Sequence, residues 1–99
     1  MVPETTSAGR LLNAKRTEIL AICDKFGAHN VRVFGSVARG TARDDSDIDM
    51  LVEMDKGRSL FDLVGCQLAI EDLLEKRVDL GTRLKPRIQE SAAEDIHPL

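Results

Sequence analysis

The residues of this 99-residue chain whose types and spacing suit chemistry are an adjacent Gly35 and Ser36 and, after ten intervening residues, two alternate aspartates, Asp47 and Asp49. In an extended segment side chains alternate, so Asp47, Asp49, Leu51 and Glu53 share one face while Ile48, Met50 and Val52 share the other. At a rise of ~3.3 Å per residue the two aspartates stand about 7 Å apart at Cα, a span over which both can lean onto one or two Mg²⁺ ions. Without a cation they repel each other, and one tends to keep a proton. With one, they become a metal clamp for a nucleoside triphosphate.

The Gly-Ser pair complements that clamp. Val31 to Phe34 is β-branched and aromatic and reads as a short buried strand, after which Gly35 lets the backbone turn sharply. If Ser36 to Arg39 forms a first helical turn, its unpaired N–H groups and the Ser36 hydroxyl face whatever sits above Gly35, which favours an anion such as phosphate. Arg39 and Arg43 lie between the turn and the aspartates. Either can contact phosphate, and Arg39 can instead pair with the aspartates. The bland alternative is a surface loop whose aspartates make turns and caps. A β-rich segment before the turn and an apolar strand after it, from Asp47 to Glu53, weigh against that alternative.

The elements that must position these residues follow from periodicity. Met1 to Thr6 reads as a frayed end and Ser7 as a candidate N-cap. Leu11, Leu12, Ile19, Ile22, Cys23 and Phe26 recur at helical spacing, which predicts one amphipathic helix from about Ala8 to Phe26, closed by Gly27 at its C′ position. Asp55 to Arg58 is a turn, and Ser59-Leu60-Phe61-Asp62 resembles a capping box opening a helix that runs to about Lys76. Leu60, Phe61, Leu63, Val64, Leu68, Ala69, Leu73 and Leu74 cover more than one stripe of it, as expected for a helix packed firmly on a sheet. Val78-Asp79-Leu80 alternates and stops at Gly81, so it reads as a third strand. On spacing alone Asp79 could equally cap a strand end or turn. Pro86 opens a final predicted helix from Lys85 to about Asp95. His29 has no orienting neighbour in sequence and reads as a surface histidine.

Size and composition bound the rest. The length predicts one domain spanning residues 1–99. Apolar residues make up 42% and charged residues 31%, a globular balance. With no Trp or Tyr and only three Phe, the core must be aliphatic, and base-stacking recognition of nucleic acid is disfavoured. A net charge of −3 with scattered Lys and Arg gives no basic stripe, so no direct nucleic-acid binding is expected. No apolar run approaches the ~20 residues that span a bilayer, and no signal-peptide core is present, which predicts a soluble cytoplasmic protein. Cys23 and Cys66 lack metal spacing and read as buried reduced thiols.

The pattern of Gly35-Ser36, ten residues, then Asp47-Ile48-Asp49 resembles the signature of the DNA polymerase β nucleotidyltransferase superfamily. The fuller run GSVARG…SDIDMLV is similar to its small stand-alone members, the minimal nucleotidyltransferases found as antitoxins beside HEPN-domain toxins. That resemblance covers nearly the whole chain. It implies an α/β (α+β) nucleotidyltransferase fold, a small mixed sheet of three or four strands. The first and third helices would pack on one face, and the metal residues would lie at one edge of the other. It also implies phosphate contacts from Gly35 and Ser36, metal binding by Asp47 and Asp49, and a third catalytic and metal-binding carboxylate at Asp79.

Larger members of the superfamily carry a further domain that holds the acceptor, and this chain has no room for one. The acceptor is therefore expected on another molecule or another copy of this chain. By resemblance it is a hydroxyl side chain, typically Tyr, of a HEPN toxin receiving AMP from ATP with Mg²⁺. Two alternatives stand beside that expectation: an antitoxin that neutralises by contact alone, and a transferase for small molecules of the aminoglycoside type.

Overall fold

The computed structural model describes residues 2–83 and 96–99, so the predicted helix from Lys85 to Asp95 lies outside the described residues. Two helices, α1 (Ser7–Ala14) and α2 (Arg16–Lys25), precede β1 (Ala28–Phe34). A short helix, α3 (Gly35–Arg39), then leads to β2 (Ile48–Met54), α4 (Leu60–Leu74) and β3 (Val78–Gly81), and β4 (His97–Pro98) closes the order.

The sheet is mixed, with strand order β3-β2-β1-β4. β1 runs antiparallel to β2 and β4, while β2 and β3 are parallel, which requires the long crossover that α4 supplies. Val33, Ile48, Met50 and Val52 are fully buried on one sheet face with Leu12, Ile19, Cys23, Cys66 and Ile70 from the helices. The helices thus pack mainly on one face, as expected. The opposite face carries Phe34 and Leu51, over which Ile96 packs. Among the described residues no helix is long and apolar enough to cross a membrane.

Several expectations are corrected. The single helix from Ala8 to Phe26 breaks at Lys15 (φ −102°, ψ 12°), between α1 and α2. Lys15 N–H still donates to the Leu11 carbonyl and Ile19 N–H to the Lys15 carbonyl, each at 2.9 Å, so the bend keeps its hydrogen bonds and leaves the apolar period in phase. Thr6, not Ser7, caps α1, its hydroxyl accepting from Gly9 N–H at 3.0 Å. Nor is the N-terminal segment frayed throughout. Val2 is buried in the core, and the Asn13 amide holds its backbone on both sides, donating to its carbonyl and accepting from its N–H.

β1 starts three residues before Val31, since Ala28 and His29 already pair with β2, and Asn30 takes a left-handed conformation (φ 51°) where the β1–β2 register shifts between His29 and Arg32. His29 is exposed, as expected, with its ring 2.9 Å from Asp55.

The capping box is present: the Ser59 hydroxyl accepts from Phe61 N–H at 3.2 Å and the Asp62 carboxylate from Ser59 N–H at 2.9 Å. α4 stops at Leu74, with Glu75 left-handed at φ 55°. It does not bury its whole apolar surface. Cys66, Ile70 and Leu74 face the sheet, but Leu60 (72%), Phe61 (87%), Val64 (45%) and Leu68 (58%) are exposed.

β3 lies at a sheet edge, and α4 covers its outward N–H groups: Val78 donates to Glu71 at 2.9 Å and Leu80 to Gln67 at 3.3 Å. Side chains that satisfy an edge in this way remove a template for unwanted strand pairing.

Candidate active site

The site forms at the end of the sheet where β1 finishes and β2 and β3 begin. Phe34 pairs with Asp49, so the chain leaves β1 directly beside the second aspartate. Gly35 then turns it at φ +74°, a left-handed conformation that glycine adopts without steric penalty. The same turn brings the backbone against Asp49, and a Cβ built on Gly35 would lie 2.5 Å from Asp49 Oδ2.

α3 follows at once, anchored by the buried Val37 and Ala38 and ended by Gly40 at φ +77°. Among the described residues the Ser36 hydroxyl has no partner within the protein, while the Ser36 carbonyl accepts from Thr41 N–H at 2.9 Å and fixes the turn out of α3.

The register sets Asp49 beside Asp79, and Asp47 precedes the strand that carries Asp49. β2 begins at Ile48, so Asp47 is the residue before the strand and is exposed. Asp49 is half-buried on the strand's polar face. Asp79 pairs with Asp49 across the parallel β2–β3 ladder, which places two carboxylates on neighbouring strands, about 4.8 Å apart in backbone spacing.

Burial raises the Asp49 carboxyl above its ordinary range. Repulsion from Asp79 and then Asp47 raises it further, against a smaller opposing pull from Arg39. Arg39 therefore lies close enough to act on Asp49, yet forms no ion pair with it among the described residues. Arg43 is exposed, and its backbone closes a turn with Ser46, donating to the Ser46 hydroxyl at 2.9 Å and accepting from Ser46 N–H at 3.0 Å.

Among the described residues no three acidic, His or Cys groups converge tightly enough to enclose a metal by themselves. Mg²⁺ keeps several waters and takes one or two carboxylates together with substrate phosphates, so a site for it needs no such enclosure. The donor set is all hard oxygen, and the crowding that raises Asp49 is the charge excess a divalent cation relieves.

Sequence reasoning missed what steadies the connection between α3 and β2. The Ser7 hydroxyl donates to Asp44 at 2.8 Å, the Thr5 hydroxyl to the Gly40 carbonyl at 3.2 Å, and the Lys76 ammonium to the Asp44 carbonyl at 3.2 Å. These residues lie between 32 and 37 positions from their partners, and no local pattern marks them.

Comparison with known proteins places the fold in a family. The model of the nucleotidyltransferase domain family matches residues 17–96. A Methanocaldococcus jannaschii protein assigned as a protein adenylyltransferase is 38% identical over 88 residues, spanning 89% of this chain and 84% of its own. The protein adenylyltransferase MntA of Thermococcus cleftensis is 39% identical over 88 residues, spanning 87% and 86%.

A solved structure assigned as a minimal nucleotidyltransferase superposes with a TM-score of 0.79 at 46% identity, over 92% of this chain and 95% of that one. A toxin–antitoxin structure with AMP-PNP superposes at 0.58 and 22% identity, over 67% of this chain and 55% of that one, a likeness of fold.

Proposed function

This chain belongs to the nucleotidyltransferase domain family, among its minimal members, and from that premise we propose that it transfers AMP from ATP to a hydroxyl side chain of a partner protein. We assign the acceptor as a tyrosine of a HEPN-domain toxin, for which the chain acts as antitoxin, a single nucleotidyltransferase domain over residues 1–99 working in the cytoplasm. The observation that carries this reading is the contiguity of Gly35, Asp49 and Asp79. A left-handed glycine turn abuts one carboxylate, and that carboxylate is in register with another.

In this mechanism the Ser36 hydroxyl and the adjacent backbone N–H groups hold the outer phosphates of ATP, with Arg39 beside them. Asp47, Asp49 and Asp79 would hold Mg²⁺, which when bound would neutralise charge on the phosphates and on departing pyrophosphate. The acceptor oxygen bonds to the α-phosphorus as the bond from that phosphorus to the pyrophosphate oxygen breaks. Asp79, exposed at the sheet edge, takes the acceptor's proton.

A second reading, neutralisation by contact alone, is favoured by one feature, the exposed Leu60, Phe61, Val64 and Leu68 on α4. Intact-mass measurement of the product of the neighbouring gene, purified and incubated with this protein, ATP and Mg²⁺, separates the two. The enzyme reading expects the partner to gain AMP, and none with EDTA present. An unmodified but neutralised partner would leave only the contact reading.

A further inference from the structure

A cleft of about 220 Å³ opens beside Asp47, between the segment Asp44 to Asp47 and the connection Glu75 to Arg77 that enters β3. The parallel register continues one residue below both strands, since Ile48 N–H donates to the Arg77 carbonyl at 3.0 Å. Arg77 therefore stands next to Asp47 and, two residues before Asp79, on the same sheet face. It is exposed and enters no ion pair among the described residues.

We propose that this cleft holds the acceptor side chain, with the Arg77 guanidinium donating a hydrogen bond to the acceptor oxygen. The inference rests on the adenylyltransfer reading above and adds where the acceptor enters and what recognises it. In-line displacement requires the nucleophile and the leaving group on opposite sides of phosphorus. The Gly35–Ser36 turn lies on the β1 side of the aspartates and the cleft on the β3 side.

The volume argues in the same direction. Pockets for drug-sized ligands run to about 300–1,000 Å³, so this cleft suits one side chain rather than a nucleotide. Its other charged groups set the acceptor's character. Asp44 is held by Ser7, and Lys76 by the Asp44 carbonyl, but Asp45 and Glu75 add carboxylates to the wall. An anionic occupant is repelled there, whereas a neutral hydroxyl is accepted and its oxygen met by the one arginine. As the hydroxyl loses its proton, that guanidinium favours the oxyanion.

The test uses N-acetyltyrosinamide as probe, titrated into the ¹⁵N-labelled full chain saturated with Mg²⁺ and a non-hydrolysable ATP analogue, so it needs no transfer. Backbone shifts should cluster at Asp44 to Asp47 and Lys76 to Arg77. Arg77→Gln should weaken the probe about tenfold, the loss of one charge-assisted hydrogen bond. Arg77→Lys should weaken it less, Arg32→Gln should match the parent, and affinity for the ATP analogue should stay unchanged in all three.

Absent shifts, shifts centred elsewhere, or equal probe affinity in Arg77→Gln and the parent would overturn the cleft assignment. AMP transfer to a partner protein, scored separately by mass, could still succeed in that case. Localised probe binding without transfer would leave the cleft standing and remove the enzymatic reading.

Discussion

Gly35 and Asp49 meet so closely that no side chain fits between them: a Cβ on the glycine would fall 2.5 Å from the aspartate's Oδ2. The Gly35 turn and the carboxylate are thus one unit. Gly35→Ala imposes two penalties, a left-handed alanine at φ +74° and displacement of Asp49. Gly57 provides the control, since it has φ +90° but nothing within 4 Å of its added Cβ. Both alanine variants should lose about 1–2 kcal/mol of stability from backbone strain. Only Gly35→Ala should also lose affinity for Mg²⁺–ATP by calorimetry, and equal nucleotide binding in the two variants would contradict the coupling.

The raised Asp49 carboxyl predicts how the metal-free protein responds to pH. Its folded value lies above the ordinary 3.8, so the folded state holds the proton more tightly than the unfolded chain does. The resulting penalty is absent below the ordinary value, grows as pH rises, and is complete above the raised folded value. Asp49→Asn should therefore be more stable than the parent at neutral pH, with the gap closing towards pH ~3 as the parent's carboxyl is protonated. Urea unfolding in EDTA across that range reads the difference directly, and a gap independent of pH would show that repulsion at Asp49 is not its cause.

Cys23 and Cys66 lie 3.8 Å apart at sulfur, wholly buried between α2 and α4. The two thiols share a hydrogen bond that pushes the Cys23 thiol up, with burial and the neighbouring sulfur adding to it, and that lowers Cys66. Burial still bars reagents, so neither thiol should react with Ellman's reagent in the folded protein, and both should react at once in denaturant. Cys66→Ala should cost about 1–3 kcal/mol, in the range of buried truncations, read as a lower urea midpoint at unchanged slope.

What the sequence revealed and what it hid divide along physical lines. The Gly35-Ser36 turn and the alternation of Asp47, Ile48 and Asp49 are local patterns, and the geometry follows them to within one residue at the start of β2. Asp79 sits in a four-residue strand whose place beside β2 comes from a crossover, so spacing alone could not assign it. The bend at Lys15 leaves Leu12, Ile19 and Cys23 in phase, and an uninterrupted period conceals it. Hydrophobicity likewise could not say which of α4's apolar stripes meets the sheet, because Leu60, Phe61, Val64 and Leu68 are as apolar as those that do. β4 has two residues, one of them proline, and carries no strand signal.

Removing the paired charges at Asp47 and Asp49 tests the metal assignment. A triphosphate beside uncompensated carboxylates is repelled, so nucleotide affinity in the parent should depend on Mg²⁺. In Asp47→Asn plus Asp49→Asn, that dependence should disappear and Mg²⁺–ATP affinity should fall at least about tenfold, the equivalent of ~1.4 kcal/mol. Calorimetry with and without Mg²⁺ gives both numbers, and equal Mg²⁺–ATP affinity in the double variant and the parent would refute the assignment.

Asp79 separates catalysis from docking. It is exposed at the β3 edge, in register with Asp49, and in the proposed mechanism it takes the acceptor's proton. The exposed apolar stripe of α4 is carried by other residues, and a partner held there depends on buried apolar area rather than on this carboxylate. Asp79→Asn keeps the side chain's size and removes only its charge and proton affinity. Loss of a general base of this kind should slow transfer by about 10²–10⁴-fold while partner affinity stays at the parent's value. Intact-mass time courses on the partner with Mg²⁺ and ATP, alongside calorimetric titration of the same pair, measure both quantities. Should the partner remain unmodified yet fully neutralised by parent and variant alike, contact rather than adenylylation is the protein's means of inhibition.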